Sequence, residues 1–195
     1  MGWPAPVTLS GSHATLLPLA LIHLDDLNLA VRDGELWKHW YTSIPKPEGM
    51  RAEIERRLGL QENGSMLPFT VRDAAGKIAG MTTYMNIDAS HKRVEIGSTW
   101  YAKSVQRTPL NTECKLMLLA HAFETLDCIA VEFRTSFFNQ QSRNAILRLG
   151  ARQDGILRCH QRHADGSLRD TCVYSIVAAE WPGVRNHLQF KLKSQ

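Results

Sequence analysis

The stretch Tyr101–Lys115, YAKSVQRTPLNTECK, decides how this chain folds. Extended, aromatic residues run into a short polar loop, and a strong helix follows. From Asn111 on, Leu116, Leu119, Phe123 and Leu126 recur at helical spacing, which predicts a helix over Asn111–Leu126. Asn111 or Thr112 is the expected cap, and Glu113 falls in the first turn, where the helix dipole favours an acid. A helix N-terminus carries unpaired N–H groups and partial positive charge, and a phosphate satisfies both. The amides of Arg107, Thr108, Leu110, Asn111 and Thr112 are therefore candidates to hold a pyrophosphate. Gln106, Arg107, Thr108 and Thr112 add side-chain donors. Many strand–loop–helix joints share this look, so a capped helix with solvated loop residues is the plainer alternative.

Upstream, Leu67–Arg72, Lys77–Asp88 and Arg93–Ala102 alternate in the manner of strands, with turns at Ala74–Gly76 and Ala89–His91. They predict an antiparallel meander. Before it come a strand in Val7–Pro18, with a hairpin turn at Ser10-Gly11-Ser12, and helices over Leu21–Arg32 and Pro47–Leu60. Trp37, Trp40 and Tyr41 form a short aromatic helix or turn between those helices. Downstream come a strand over Cys128–Ser136 and a helix over Asn139–Leu149, stopped at Gly150. Strands over Gly155–Arg162 and Arg169–Ala178 flank the turn Ala164-Asp165-Gly166-Ser167, and a terminal helix runs from Pro182 to Lys193. The order predicts an α+β (mixed α/β) fold, with a mostly antiparallel central sheet of about seven strands and helices on both faces. The helix over Asn111–Leu126 joins two strands expected to lie parallel, through a right-handed crossover.

The 195 residues suit a single domain, with its core over about 8–179. The net charge of +4 favours anionic partners, phosphorylated cofactors among them. Lys and Arg are scattered, which argues against nucleic acid. The four cysteines, Cys114, Cys128, Cys159 and Cys172, form no Cys-x-x-Cys and suit a reducing, cytoplasmic setting. Ala14–Leu24 is apolar, but it lacks a cationic leader and a cleavage site, and it is shorter than the ~20 residues that span a bilayer. Neither a signal peptide nor a membrane span is expected. Cys159, His160 and His163 suggest a metal site at first sight. On a strand the two histidines point to opposite faces, so no metal is expected.

Four motifs carry a resemblance. They are Arg93–Trp100 (RVEIGSTW), Gln106–Asn111 (QRTPLN), Asn139–Gly150 (NQQSRNAILRLG), and Gly155–Asp170 with Arg158, Asp165-Gly166 and Arg169-Asp170. Together with the element order, they resemble the GNAT superfamily of N-acetyltransferases, in particular its RimJ/RimL-type branch. The resemblance spans about Thr8 to Ala179. It implies a sheet splayed between Arg93–Ala102 and Cys128–Ser136, with the pantetheine arm of acetyl-CoA in the gap, lined by Trp100, Tyr101 and Ala102. Pro109 and Asn111 stand where that family's loop has small residues. Proline has no N–H, so a loop with fewer backbone contacts is expected, leaning on Asn111 and Thr112.

Direct transfer of an acetyl group to an amine needs a base, a polarised carbonyl and a donor to the leaving thiolate. Glu95 is the candidate base, through water; pairing with a neighbouring arginine is its alternative. Ser142 is the candidate donor, and Asn139, three residues earlier on the same face, a candidate cofactor contact. Capping of their helix is the alternative for both. Arg143 is a candidate for a CoA phosphate, against a solvated charge. A backbone N–H near Trp100–Ala102 is the expected oxyanion donor. The expected activity is N-acetylation of a small amine or a protein N-terminus. A non-catalytic acyl-CoA sensor is the alternative, and a homodimer is left open.

Overall fold

Strand alternation, reset at each turn, divides the chain into eight strands. The computed structural model describes residues 3–163 and 165–194 and joins all eight in one sheet. They are β1 Leu9–Ser10, β2 Ala14–Pro18, β3 Met66–Asp73, β4 Ile78–Asp88, β5 Arg93–Tyr101, β6 Ala130–Ser136, β7 Arg152–Arg162 and β8 Leu168–Val177. Their order is β1-β2-β3-β4-β5-β6-β8-β7, and only β5 and β6 pair in parallel. The strand beyond the expected seven is β1, which pairs Leu9 with Leu16 and Ser10 with Thr15 across the anticipated hairpin. Ala164, assigned to the β7–β8 turn, lies outside the described residues.

The helices are α1 Leu24–Arg32, α2 Met50–Glu62, α3 Pro109–Ala120, α4 Gln140–Arg148 and α5 Trp181–Lys193. They cover both faces. On one, Leu27, Val31, Met50 and Ile54 of α1 and α2 pack on Met81 and Trp100. On the other, Leu118, Leu119, Ile146 and Leu188 of α3, α4 and α5 pack on Tyr84, Phe133 and Tyr174. Each fully buried aliphatic side chain stabilises the fold by about 1.5–3 kcal/mol. Among the described residues, no helix is long and apolar enough to cross a membrane.

The central helix departs from its prediction in three ways. It starts at Pro109, where proline's fixed φ suits the first helical position and no N–H is needed. It gives way after Ala120 to a π-helical turn, His121–Thr125, which half-buries His121 against Tyr84. Glu113 serves a distant loop rather than its own helix. Its carboxylate accepts the N–H groups of Ser12 at 2.9 Å, His13 at 2.5 Å and Ala14 at 2.8 Å. A Cβ on Gly11 would collide with that carboxylate.

The parallel pairing of β5 with β6 covers Arg93↔Ala130, Val94↔Val131 and Glu95↔Glu132. Beyond Glu95 the strands part, and the inner edge of β5 from Ile96 to Tyr101 has no strand partner among the described residues.

Candidate active site

Where the sheet opens, β5 carries a bulge. Gly97 lies opposite Thr83 and Trp100 opposite Met81, so β5 has one residue more than β4 over this span. Ser98 takes the left-handed conformation, with φ 47°. The extra residue resets the alternation. Val94 and Ile96 face α3, and past the bulge Tyr101 faces α3 while Trp100 joins the α1–α2 core. Arg57 of α2, only 2% exposed, clamps the bulge. It donates to Glu53 Oε1 at 2.7 Å, to Thr83 Oγ1 at 2.7 Å and, through both terminal nitrogens, to the Ser98 carbonyl at 3.2 Å. A Cβ at Gly97 would lie 3.0 Å from Glu95 Oε1 and 2.7 Å from Met85 Sδ, so glycine leaves Glu95 its place.

The open edge presents main-chain groups. Ala102 N–H donates to the Ala79 carbonyl at 2.8 Å. Antiparallel alternation then turns Trp100 toward β4 and leaves the backbone of Thr99 and Tyr101 facing the gap. Gln106 Nε2 donates to the Tyr101 carbonyl at 3.0 Å, so this side chain holds the strand end. The side chains of Trp100 and Ala102 are buried in the α1–α2 core. The gap is therefore lined by backbone, with Tyr101's ring on the α3 side.

At the loop, Asp33 accepts the N–H of Lys103 on its carbonyl at 3.0 Å and that of Ser104 on its carboxylate at 2.9 Å. Thr108, not Asn111 or Thr112, is the cap. Its Oγ1 accepts from Leu110 N–H at 3.4 Å and donates to the Val105 carbonyl at 2.7 Å. Arg107 is left-handed, with φ 62°. The amides of Arg107 and Thr108 make no hydrogen bond among the described residues, and that of Asn111 lies in the first turn, which lacks main-chain acceptors. Pro109, at the first helical position, brings no N–H to this helix end. Thr112 is buried one position deeper, and its hydroxyl accepts Arg148 Nη1 at 3.1 Å. It contributes by drawing Arg148 of α4 to this helix end. No spacing along the sequence linked those two residues.

Three buried polar atoms have no hydrogen-bond partner among the described residues: Trp100 Nε1 on the α1–α2 side, the Tyr101 hydroxyl beside Cys114, and Asn111 Oδ1. Burial pushes the Tyr101 phenol well up and the neighbouring Cys114 thiol to about 12, so both are neutral. An extended ligand ending in phosphates fits this donor set: two strand residues whose main-chain N–H groups face the gap, a helix N-terminus, and an asparagine amide free to turn its nitrogen outward.

Across the gap, Asn139 caps α4, its Oδ1 accepting Ser142 N–H at 3.0 Å. The Ser142 hydroxyl has no hydrogen-bond partner among the described residues. Arg143 directs its donors locally, Nε to the Tyr174 hydroxyl at 3.1 Å and Nη1 to the Phe137 carbonyl at 3.3 Å, with its guanidinium 4.9 Å from the Phe137 ring centre. It ties the loop after β6 to β8.

Glu95, 4% exposed, stands where the strands part. Its Oε2 accepts Asn86 Nδ2 at 2.7 Å and lies 3.4 Å from Arg134 Nε. Burial raises its pKa above the usual carboxylate range, against the Asn86 hydrogen bond and the Arg134 charge. The arginine contact and the placement expected of a base coexist in one residue.

A family model described as an acetyltransferase (GNAT) domain matches residues 13–152. Among solved structures, a GCN5-related N-acetyltransferase from Brucella melitensis is 32% identical, with 97% of this chain and 86% of that chain covered and a TM-score of 0.86. A T. thermophilus protein assigned as an acetyltransferase is 34% identical over 97% of this chain and 99% of its own, with a TM-score of 0.85. Mycobacterium smegmatis RimJ, in a complex with CoA-disulfide, superposes with a TM-score of 0.80 over 98% of this chain and 97% of its own. At 20% identity that likeness is one of fold alone. A search of curated proteins finds no match.

Proposed function

This chain belongs to the GNAT acetyltransferase family, and from that premise we propose that it moves the acetyl group of acetyl-CoA directly onto a primary amine, in a small molecule or at a protein N-terminus. The observation that carries this reading is the buried Glu95 placed where β5 leaves β6, two residues before the bulge. Acetyl-CoA supplies the activated thioester. Glu95 takes the proton of the attacking amine, through water, and its raised pKa brings it closer to the working range of a base at neutral pH. The N–H groups of Thr99 and Tyr101, not that of Trp100, face the gap and serve the developing oxyanion. The Ser142 hydroxyl donates a hydrogen bond to the departing thiolate, and the proton that Glu95 takes from the amine passes on through water to complete the thiol. The amides of Arg107, Thr108 and Asn111, with Arg148 beside them, hold the phosphates. Asn139 acts through the cap that sets Ser142. The four free thiols suit a cytoplasmic setting.

The test is thiol release from acetyl-CoA across a panel of amines. Glu95→Gln is expected to lower kcat by about 10²- to 10⁴-fold, with the Kd for acetyl-CoA by calorimetry within twofold. The acid limb of the kcat profile, set by a carboxylate titrating above its usual range, should vanish in the same variant. Tight acetyl-CoA binding by the unaltered protein with no turnover on any amine would overturn the transferase reading in favour of a sensor.

A further inference from the structure

The acceptor side of the gap has its own chemistry. α1 and α2 pack over β3 and β4. The same face of β6 and β8 instead carries Glu132, Arg134 and Ser136, with Ser175, Val173 and Thr171 directly opposite them. Arg169 is next along β8 on that face, near enough that Glu95 and Arg169 each feel the other's charge. Three guanidinium groups therefore stand among three carboxylates, the third being Asp154, which accepts the Ser175 hydroxyl at 3.0 Å. Arg93 and Arg134 are paired with Glu132, and Arg134 also touches Glu95. Arg169 has no carboxylate among the described residues. Its Nη1 donates to the neutral Gln161 Oε1 at 2.7 Å, and its Nε is buried without a partner. A buried donor left unmade costs about 1–3 kcal/mol, and a guanidinium fork matches a carboxylate or phosphate.

An aromatic cluster drawn from three loops lies along the strand from Gln161, the cross-strand partner of Arg169. Trp40 comes from the α1–α2 connection, Phe138 from the loop after β6, and His163 lies two residues beyond Gln161. The Trp40 ring centre is 5.5 Å from that of Phe138 and 5.3 Å from that of His163. Trp40 is 56% and Phe138 60% exposed, so these rings offer free faces. Trp37, grouped with Trp40 by sequence, packs instead on the α1–α2 core.

We propose that the acceptor amine carries an anionic group of its own, a carboxylate or a phosphate, received by Arg169, and an aromatic or bulky apolar part that rests on Trp40 and Phe138. This rests on the acetyl-transfer reading and names the substrate class for it. Matched amines test it by thiol release from acetyl-CoA, with rates referred to the neutral-amine concentration. Phenylalanine against phenylalaninamide reads the carboxylate, O-phosphoethanolamine against ethanolamine the phosphate, and phenylalanine against glycine the aromatic part. The anionic member of one charge pair should be preferred at least tenfold in kcat/KM, and phenylalanine over glycine. Arg169→Met should erase the charge preference, Arg169→Lys keep part of it, and Trp40→Ala raise KM for phenylalanine but not glycine, with unfolding curves checking each fold. The preference in the unaltered protein decides the matter even if a variant fails to fold. Turnover with no preference for either anion overturns this proposal alone, whereas no turnover on any amine overturns the transferase reading with it.

Discussion

Lys115 is an expensive residue to keep where it is. It is 7% exposed, and its Nζ donates to Thr99 Oγ1 at 3.0 Å and Thr82 Oγ1 at 3.3 Å, with no carboxylate bound among the described residues. Burial lowers its pKa from 10.5 to about 8. The folded pKa lies below the unfolded one, so between those values the unfolded chain binds more protons and stability rises with pH. Below about 8 the amine is charged in both states, and its burial costs on the order of 3 kcal/mol. Lys115→Met is therefore expected to unfold at higher urea concentration at pH 7, with its advantage shrinking as pH climbs from 8 toward 10.5. An advantage that ignores pH would show that the charge is not its source. The hydroxyls left behind already bond each other at 2.8 Å, so removing the lysine strands neither.

At the scale of elements, the bulge in β5 depends on α2. Arg57 holds the Ser98 carbonyl while its charge is answered by Glu53, whose side chain is 15% exposed. Arg57→Met should cost about 1–3 kcal/mol in urea unfolding, because the Ser98 carbonyl loses its buried donor, while Glu53 keeps its two hydrogen bonds from Arg56. It should also lower kcat for acetyl transfer more than it raises the Kd for acetyl-CoA. Arg57→Lys should recover little, since a point charge cannot fork to three acceptors. A kcat unchanged in a folded variant would separate the bulge from the chemistry. The elements themselves were legible because their signals are local. The meander from Leu67 to Ala102 alternates and turns on short polar runs, and Gly150 at φ 99° stops α4 where the sequence places it. The choice of partner was not local. Arg57 meets Ser98 41 residues on, and Arg148 meets Thr112 36 residues back. Nothing in the surrounding residues distinguishes these arginines from solvated ones. Glu95 became a candidate because its Glu-Ile-Gly strand resembles that of the family, while its neighbour Arg134 arrives from another strand.

For the molecule as a whole, three residue pairs of β5 and β6 are what join the two halves of the sheet. A ligand that fills the gap adds contacts to both halves. Acetyl-CoA at about 100 times its Kd should then stabilise the fold by about 2.7 kcal/mol. For a chain of this length that raises Tm by roughly 5–10 °C. Hydrogen exchange at the Thr99 and Tyr101 amides should slow in the same titration. An unmoved Tm at saturating acetyl-CoA would remove the gap from the cofactor assignment.

The Glu113 tether puts an order in time on how this chain comes into being. The amides of Ser12, His13 and Ala14 leave the ribosome about a hundred residues before the carboxylate that receives them. Until that helix is made, the opening hairpin lacks its anchor, and β2 waits on β3 for its only long neighbour. The opening hairpin is thus settled late, by a carboxylate one turn inside α3.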